Sequence, residues 1–291
     1  MVKYPIDRQY GIWRKLKMPF SRPVLFFGRL FTDLRTRSAR TWGDVTVERI
    51  NVDGVSCLKF TPAEERADAP CMVYFHGGGF CLGAADYHYK NARAYARAMG
   101  GPVIFPFYSL APKHKYPVQE EECFKVCKYA FDAFGKISLG GDSAGGFLAL
   151  KTCLRCQKNS IKVDFLMVIY PVVDCKMSCP SMKAFPDTPL WNGKSNKRMW
   201  DYYYGKDFDQ KSFLEEEIVK AFPPTYVETA QFDCLRDEGI ALYKKLSALG
   251  GEVTINNTKG TMHGFDIKAC PGTKAALLSR LTFITDRQAK G

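Results

Sequence analysis

Histidine is scarce in this chain: four of 291 residues, at positions 76, 88, 114 and 263. Any chemistry that needs an imidazole to accept a proton near neutral pH has few places to draw on. No run of eighteen apolar residues occurs, so no membrane-spanning helix is expected. No four-ligand zinc spacing of Cys and His occurs, and neither a metal nor another cofactor is expected. Met1–Lys17 mixes charges with aromatics and lacks the apolar centre of a secretory signal, which points to a cytoplasmic location. Internal repeats and low-complexity tracts are absent too.

What is present suits a large core: 46% of the residues are hydrophobic and 14% aromatic. The length allows one α/β domain or two small ones. The 11 cysteines are odd in number and scattered through apolar segments, which reads as reduced thiols. Cys153-x-x-Cys156 falls on a predicted helix and reads as two small buried residues rather than a redox pair. The net charge is +12, and residues 1–43 carry ten Lys or Arg against two Asp, or +8 of that total. No nucleic-acid motif accompanies the charge, so no nucleic-acid partner is expected. Within the same segment Val24, Phe27, Phe31 and Leu34 form an apolar stripe at helical spacing, expected to lie against the main domain.

Strand-like segments over 46–52, 56–60, 71–75, 103–108, 137–140, 165–170, 225–231 and 253–257 predict eight strands. A tight turn at Asp53-Gly54 joins the first two. From Cys71 onward strands alternate with helices over 87–99, 117–134, 144–157, 238–249 and 273–287, the pattern of a mostly parallel sheet. From about 174 to 220 the rhythm breaks into a stretch rich in Pro, Met and aromatics, read as an insertion.

Gly141-Asp-Ser143-Ala-Gly145 sits between a predicted strand and a predicted helix, the setting in which G-x-S-x-G forms a nucleophile elbow. With glycine near 7% of residues, roughly one chain of this length in ten carries that spacing by accident, so the rest of the chain must decide. A serine hydroxyl needs a base. In a strand–elbow–helix fold the base is a His that follows an acid along the chain, and only His263 follows Ser143. Asp233 is the first acid beyond the 225–231 strand, where site residues gather in open sheets. Asp237 is the second candidate for the acid; otherwise Asp237 and Glu238 read as first-turn residues of the next helix, with capping as their role. Backbone N–H donors for an oxyanion are expected from Ala144 and from the Gly77-Gly78-Gly79 loop that follows the 71–75 strand. His76 is expected to brace that loop. No Gly-Lys-Ser/Thr follows the glycines, which excludes a Walker-type phosphate loop.

His76-Gly-Gly-Gly-Phe80, Tyr108-Ser-Leu-Ala-Pro112, Gly141-Asp-Ser-Ala-Gly145, Asp233-Cys-Leu-Arg-Asp-Glu-Gly239 and Met262-His-Gly-Phe265 together resemble the bacterial esterases of the hormone-sensitive lipase family, within the α/β-hydrolases. The resemblance covers roughly residues 70–170 and 222–268. It implies Ser143, Asp233 and His263 as triad, with Gly78, Gly79 and Ala144 as the oxyanion donors. Ser109 and Lys113 stand where the family usually has Arg and Glu, and Cys234 where proline is common. It also implies an α/β-hydrolase fold with a helical cap: N-terminal cap helices over 1–43, core over 44–174, cap insertion over 175–220 and core again over 221–291. Such a cap accounts for the stripe without a membrane, and no stable membrane association is expected. Phe80, Trp191, Trp200 and Tyr203 are candidate pocket residues, with ordinary packing the equal alternative.

The expected activity is serine carboxylesterase action on small esters, acetyl to butyryl or hexanoyl, through an acyl-enzyme. An acetyl-sugar or xylan-oligosaccharide deacetylase is the same chemistry on another substrate. Amide, peptide or thioester hydrolysis, a membrane-attached lipase, and a non-catalytic small-molecule binder are the rivals. The last is exemplified by the gibberellin receptors, which resemble the family but lack its His. A homodimer is left open.

Overall fold

The computed structural model describes residues 3–17, 19–36 and 41–290. Eight strands form one sheet in the order β1-β2-β4-β3-β5-β6-β7-β8. They are β1 (Val45–Val52), β2 (Val55–Pro62), β3 (Cys71–Phe75), β4 (Val103–Pro106), β5 (Ile137–Asp142), β6 (Val163–Ile169), β7 (Thr225–Phe232) and β8 (Val253–Met262). β1, β2 and β4 pair antiparallel; every other pair is parallel. The 53–54 turn has positive φ at both residues, 46° and 89°, the backbone that a two-residue hairpin requires.

The central strands read as unbroken apolar runs because both of their faces are covered. Alternate residues enter two cores. Val73, Phe75, Leu166 and Val168 pack with α3 (Val118–Phe134), α4 (Ala144–Lys158) and α7 (Arg236–Ala248). Met72, Tyr74, Phe165 and Met167 pack on the other side with α2 (Asp86–Met99) and α8 (Pro271–Lys290). All 11 cysteines are free and buried. Burial pushes the Cys153 thiol well above its ordinary range, so it stays protonated and packs as an apolar group.

Two stretches lie outside this layered frame. The first holds a 3-10 turn over Arg8–Arg14 and α1 (Arg22–Thr36); the second, between β6 and β7, holds α5 (Pro180–Ala184) and α6 (Gly193–Tyr203). They pack on each other. Leu190 N–H donates to Leu16 O at 2.9 Å, Asp187 pairs with Lys3 at 2.7 Å and Lys17 at 3.1 Å, and the Phe20 ring stands edge-on to Trp191 at 5.0 Å.

The orientation of α1 corrects the sequence reading. The helix turns Val24, Leu25, Gly28, Arg29 and Thr32 inward, but Phe27 outward. Arg29 sets this roll: its guanidinium donates to Cys81 O at 2.7 Å and to Ala111 O. Gly28 passes so close to Leu82 that an added Cβ would lie 2.8 Å from it. Phe27 is 67% exposed. The side chains of Phe31 and Leu34, the other half of the expected stripe, lie outside the described residues.

Glu238 is a second correction. It does not cap α7. Its Oε2 accepts the N–H groups of Val173 (2.8 Å) and Asp174 (2.9 Å), fixing the loop after β6 to the start of α7. Burial, beyond what those two N–H groups offset, pushes its carboxyl well above the usual range. Folding therefore binds a proton once pH exceeds the unfolded value, and stability falls as pH rises toward the folded value. Glu238→Gln keeps the acceptor and removes the titration. Its melting temperature is expected to gain on the wild type between pH 5 and pH 8, at up to ~1.4 kcal/mol per pH unit. Parallel melting curves across that range would contradict this.

Candidate active site

β5 runs straight into Ser143, and α4 begins at Ala144. Ser143 has φ 53° and ψ −120°, a conformation costly for a residue with a Cβ. The surroundings enforce it: Ser143 N–H donates to Ile169 O at 2.9 Å, and Ser143 O accepts from Val172 N–H at 3.0 Å. A Cβ on Gly141 would collide with Gly145 O, and one on Gly145 with Phe75 O. These glycines allow the tight strand-to-helix turn.

Ser143 Oγ lies 2.8 Å from His263 Nε2, and His263 Nδ1 lies 2.7 Å from Asp233 Oδ2. His263 directly follows β8, which runs five residues past its expected end. Asp233 directly follows β7 and is fully buried; its Oδ1 accepts Leu235 N–H at 2.9 Å. The three side chains thus come from the C-terminal ends of three parallel strands.

Gly78 (φ 113°) and Gly79 (φ 60°) face Ser143 across a cavity of about 160 Å³. A Cβ on Gly78 would stand 2.6 Å from Leu82 O, and one on Gly79 2.8 Å from the Trp191 ring. The N–H groups of Gly78, Gly79 and Ala144 donate to nothing among the described residues. They are available to a ligand atom.

The loop that carries these glycines is anchored from below by Asp142. This carboxylate accepts Gly77 N–H (3.1 Å), Tyr74 Oη–H (3.1 Å) and Tyr87 Oη–H (3.3 Å), and contacts His88 Nε2 at 3.1 Å. Burial opposes its charge, but His88 and the other donors outweigh that, and the carboxyl sits below its ordinary range. His76 is fully buried and stacks on Tyr108 at 4.4 Å, with Nδ1 2.6 Å from Gly77 O. Burial lowers its pKa to about 4.

Of the four aromatic candidates, only Trp191 lines the cavity, its ring 5.8 Å from that of His263. Phe80, Trp200 and Tyr203 do not. They pack with Phe147 in a closed cluster, Phe80 stacked on Tyr203 at 4.0 Å and Trp200 edge-on to Phe147 at 5.3 Å. Phe20, Leu25, Tyr87 and Tyr170 line the cavity instead. Sequence reasoning missed them because no motif marks them, although Phe20 and Leu25 lie in the segment expected to cover the site.

Tyr170 also joins the site to a buried ion network. Its ring stands edge-on to His263 at 5.0 Å, and its hydroxyl donates to Asp266 Oδ2 at 2.7 Å. Arg280 of α8 donates to Asp266 (2.8 and 3.0 Å) and to Glu228 (2.6 and 3.0 Å). An acid in the middle of β7 is the one hint of this network that the sequence offers.

Comparisons with known proteins agree with this architecture. A family model described as alpha/beta hydrolase fold matches residues 72–267. Esterase LipI of Mycobacterium tuberculosis is 30% identical over 214 residues, covering 69% of this chain and 67% of that protein. An acetyl esterase of Salmonella enteritidis is 32% identical over 211 residues, covering 67% and 64%. The crystal structure of esterase LipW from Mycobacterium marinum superposes with a TM-score of 0.88 at 21% identity, over 97% of this chain and 96% of that one, which speaks for the fold. The chain belongs to the alpha/beta hydrolase fold family, among its hormone-sensitive-lipase-like members, and is a carboxylic ester hydrolase.

Proposed function

We propose that this esterase cleaves small, short-acyl esters with Ser143 as nucleophile, His263 as general base and acid, and Asp233 as the group that orients the imidazole. The observation that carries the proposal is the hydrogen-bonded line from Ser143 Oγ through His263 to Asp233 at the floor of the cavity. His263 Nε2 takes the hydroxyl proton as Oγ adds to the ester carbonyl. Asp233 Oδ2 accepts from Nδ1–H and stabilises the imidazolium. The N–H groups of Gly78, Gly79 and Ala144 hold the oxyanion, Ala144 with the help of the α4 dipole. His263 then gives its proton to the departing alcohol. Water, deprotonated by His263, cleaves the acyl-enzyme, and the proton returns to Ser143.

Residues 1–43 and 175–220 act in this reading as a two-part cap. Phe20 and Leu25 of the first part and Trp191 of the second close over the cavity. The acyl limit follows from volume. A dry cavity of about 150 Å³ accommodates a benzene-sized guest, so one of about 160 Å³ suits an acyl group of a few carbons.

The test is hydrolysis of a p-nitrophenyl ester series from acetate to palmitate, run beside matched amides. The rate is expected to peak at acetate or butyrate and to be far lower on amides. Trp191→Ala removes the roof and is expected to raise kcat/KM for octanoate relative to butyrate by roughly tenfold, which corresponds to about two of the four extra methylenes being accommodated at about 0.8 kcal/mol each. A wild-type peak at long chains, or no esterase activity at any length, would refute this reading.

A further inference from the structure

α1 is apolar on two sides. Its inner side, Leu25, Gly28, Arg29 and Thr32, packs on the protein. Its outer side presents Phe26 (67% exposed), Phe27 (67%) and, one turn on, Leu30 (54%). A surface helix of a soluble domain ordinarily carries a single apolar stripe. Phe26 and Phe27 meet edge to face at 5.5 Å, so they form a single raised patch.

The flank of the patch is strongly basic. A cleft of about 830 Å³ adjoins α1, with Arg22, Arg29, Lys113, Lys115, Arg198 and Lys206 on its walls and Asp201 as the only acid among the described residues there. Asp201 is already engaged by Lys197 at 3.3 Å. Arg29 donates to the backbone carbonyls of Cys81 and Ala111, and no ion pair joins it among the described residues. Arg22, Lys113, Lys115, Arg198 and Lys206 form no ion pair among the described residues. Like charges clustered this way cost stability unless something negative meets them.

We propose that the outer face of α1 docks on an anionic lipid bilayer, with Phe26, Phe27 and Leu30 entering the interfacial layer and the cations of the adjoining cleft meeting the headgroups. A bilayer surface supplies hydrocarbon and fixed negative charge side by side, which this face requires. A second copy of the chain does not. A two-fold contact through the patch would bring identical rows of cations together. The sequence reading expected no stable membrane association because packing of one stripe on the domain would account for the helix. Of that stripe Val24 packs inward at the cavity, but Phe27 faces outward. Docking is peripheral: no helix among the described residues is long and apolar enough to cross a membrane. The inner residues Val24 and Leu25 wall the cavity at Ser143, so docking would hold that cavity about one helix diameter, roughly 10 Å, from the lipid.

The test is co-sedimentation of the full chain with vesicles of equimolar phosphatidylglycerol and phosphatidylcholine, and with pure phosphatidylcholine, at low and high salt. Two variants accompany it: Phe26→Ser/Phe27→Ser, and Lys113→Gln/Lys115→Gln/Arg198→Gln. Undiminished hydrolysis of a soluble short ester shows that each is folded. The wild type is expected to sediment with the anionic vesicles at low salt and to be released at high salt. The triple variant should bind on the order of a hundredfold more weakly, about fivefold per cation. The double variant should bind at least tenfold more weakly. Absence of sedimentation, equal binding to pure phosphatidylcholine, or full binding by the Phe variant would overturn the proposal. So would a wild-type dimer that Phe26→Ser/Phe27→Ser converts to monomer, since the face would then belong to a second copy.

Discussion

Ser143→Ala is expected to lower kcat for p-nitrophenyl butyrate by roughly four to six orders of magnitude while leaving KM within a few fold. The substitution removes Oγ alone. The strained φ of 53° is set by the bonds of Ser143 N–H and C=O to Ile169 and Val172, and these survive. The melting temperature should therefore move little. Three N–H donors also survive, so a residual rate above that of water is expected from oxyanion binding and positioning. His263→Ala should cost about as much, and the double variant little more, because in the proposed mechanism the two act as one unit, nucleophile and base. Asp233→Asn should cost less than either but still roughly 10⁴-fold, through loss of the imidazole tautomer that leaves Nε2 free to accept. A wild-type rate in Ser143→Ala, or losses that simply multiply in the double variant, would show that the reaction runs through another group. A single-turnover burst of p-nitrophenol, present in the wild type and absent in Ser143→Ala, reports the acyl-enzyme directly.

The parts of this protein that were legible in its sequence are those encoded locally. The central strands could be read because β3 and most of β6 are buried on both faces and so appear as nearly continuous apolar runs. Ser143 could be read because a strained turn demands Gly141 and Gly145 at fixed offsets. Scarcity singled out His263, and the strand-end rule Asp233, as candidates, and the structure brings both side chains into line with Ser143. The cavity wall was illegible because it is assembled from residues about 170 positions apart, Phe20 against Trp191, with no local pattern to join them. The roll of α1 was illegible for a different reason. Periodicity detects an apolar stripe but cannot choose between two, and the choice was made by Arg29 reaching the carbonyls of Cys81 and Ala111. Glu238 looked like a helix-start acid because its partners, the N–H groups of Val173 and Asp174, lie on another loop.

Arg280→Met is expected to have the largest effect on stability, about 3–5 kcal/mol, or a melting temperature roughly ten degrees lower. The side chain has no exposed surface, and neither does that of Glu228; Asp266 has almost none. Burial opposes the Arg280 charge, yet Asp266 and Glu228 outweigh it and hold the guanidinium firmly protonated. Burial also drives the Glu228 carboxyl upward, against the pull of Arg280. Without the guanidinium the Glu228 and Asp266 carboxylates lose their cation, and each must be buried charged without a partner or take up a proton. The sign follows: the deficit relative to wild type should be greatest above neutral pH and should shrink toward pH 5, where protonation is cheaper. Arg280→Lys cannot span both carboxylates with paired bonds and should recover only part of the loss. Neutralising all three members together, as Arg280→Met/Glu228→Gln/Asp266→Asn, should recover most of it, because the penalty lies in the orphaned charges rather than in the absence of an ion pair. Asp266 also holds the hydroxyl of Tyr170, whose ring packs on His263. Arg280 is therefore a positioning residue at one remove, and in Arg280→Met kcat should fall severalfold with KM nearly constant. A variant with wild-type melting at pH 8 would mean that water or a shifted proton already neutralises the pair, and the network would then carry no structural weight.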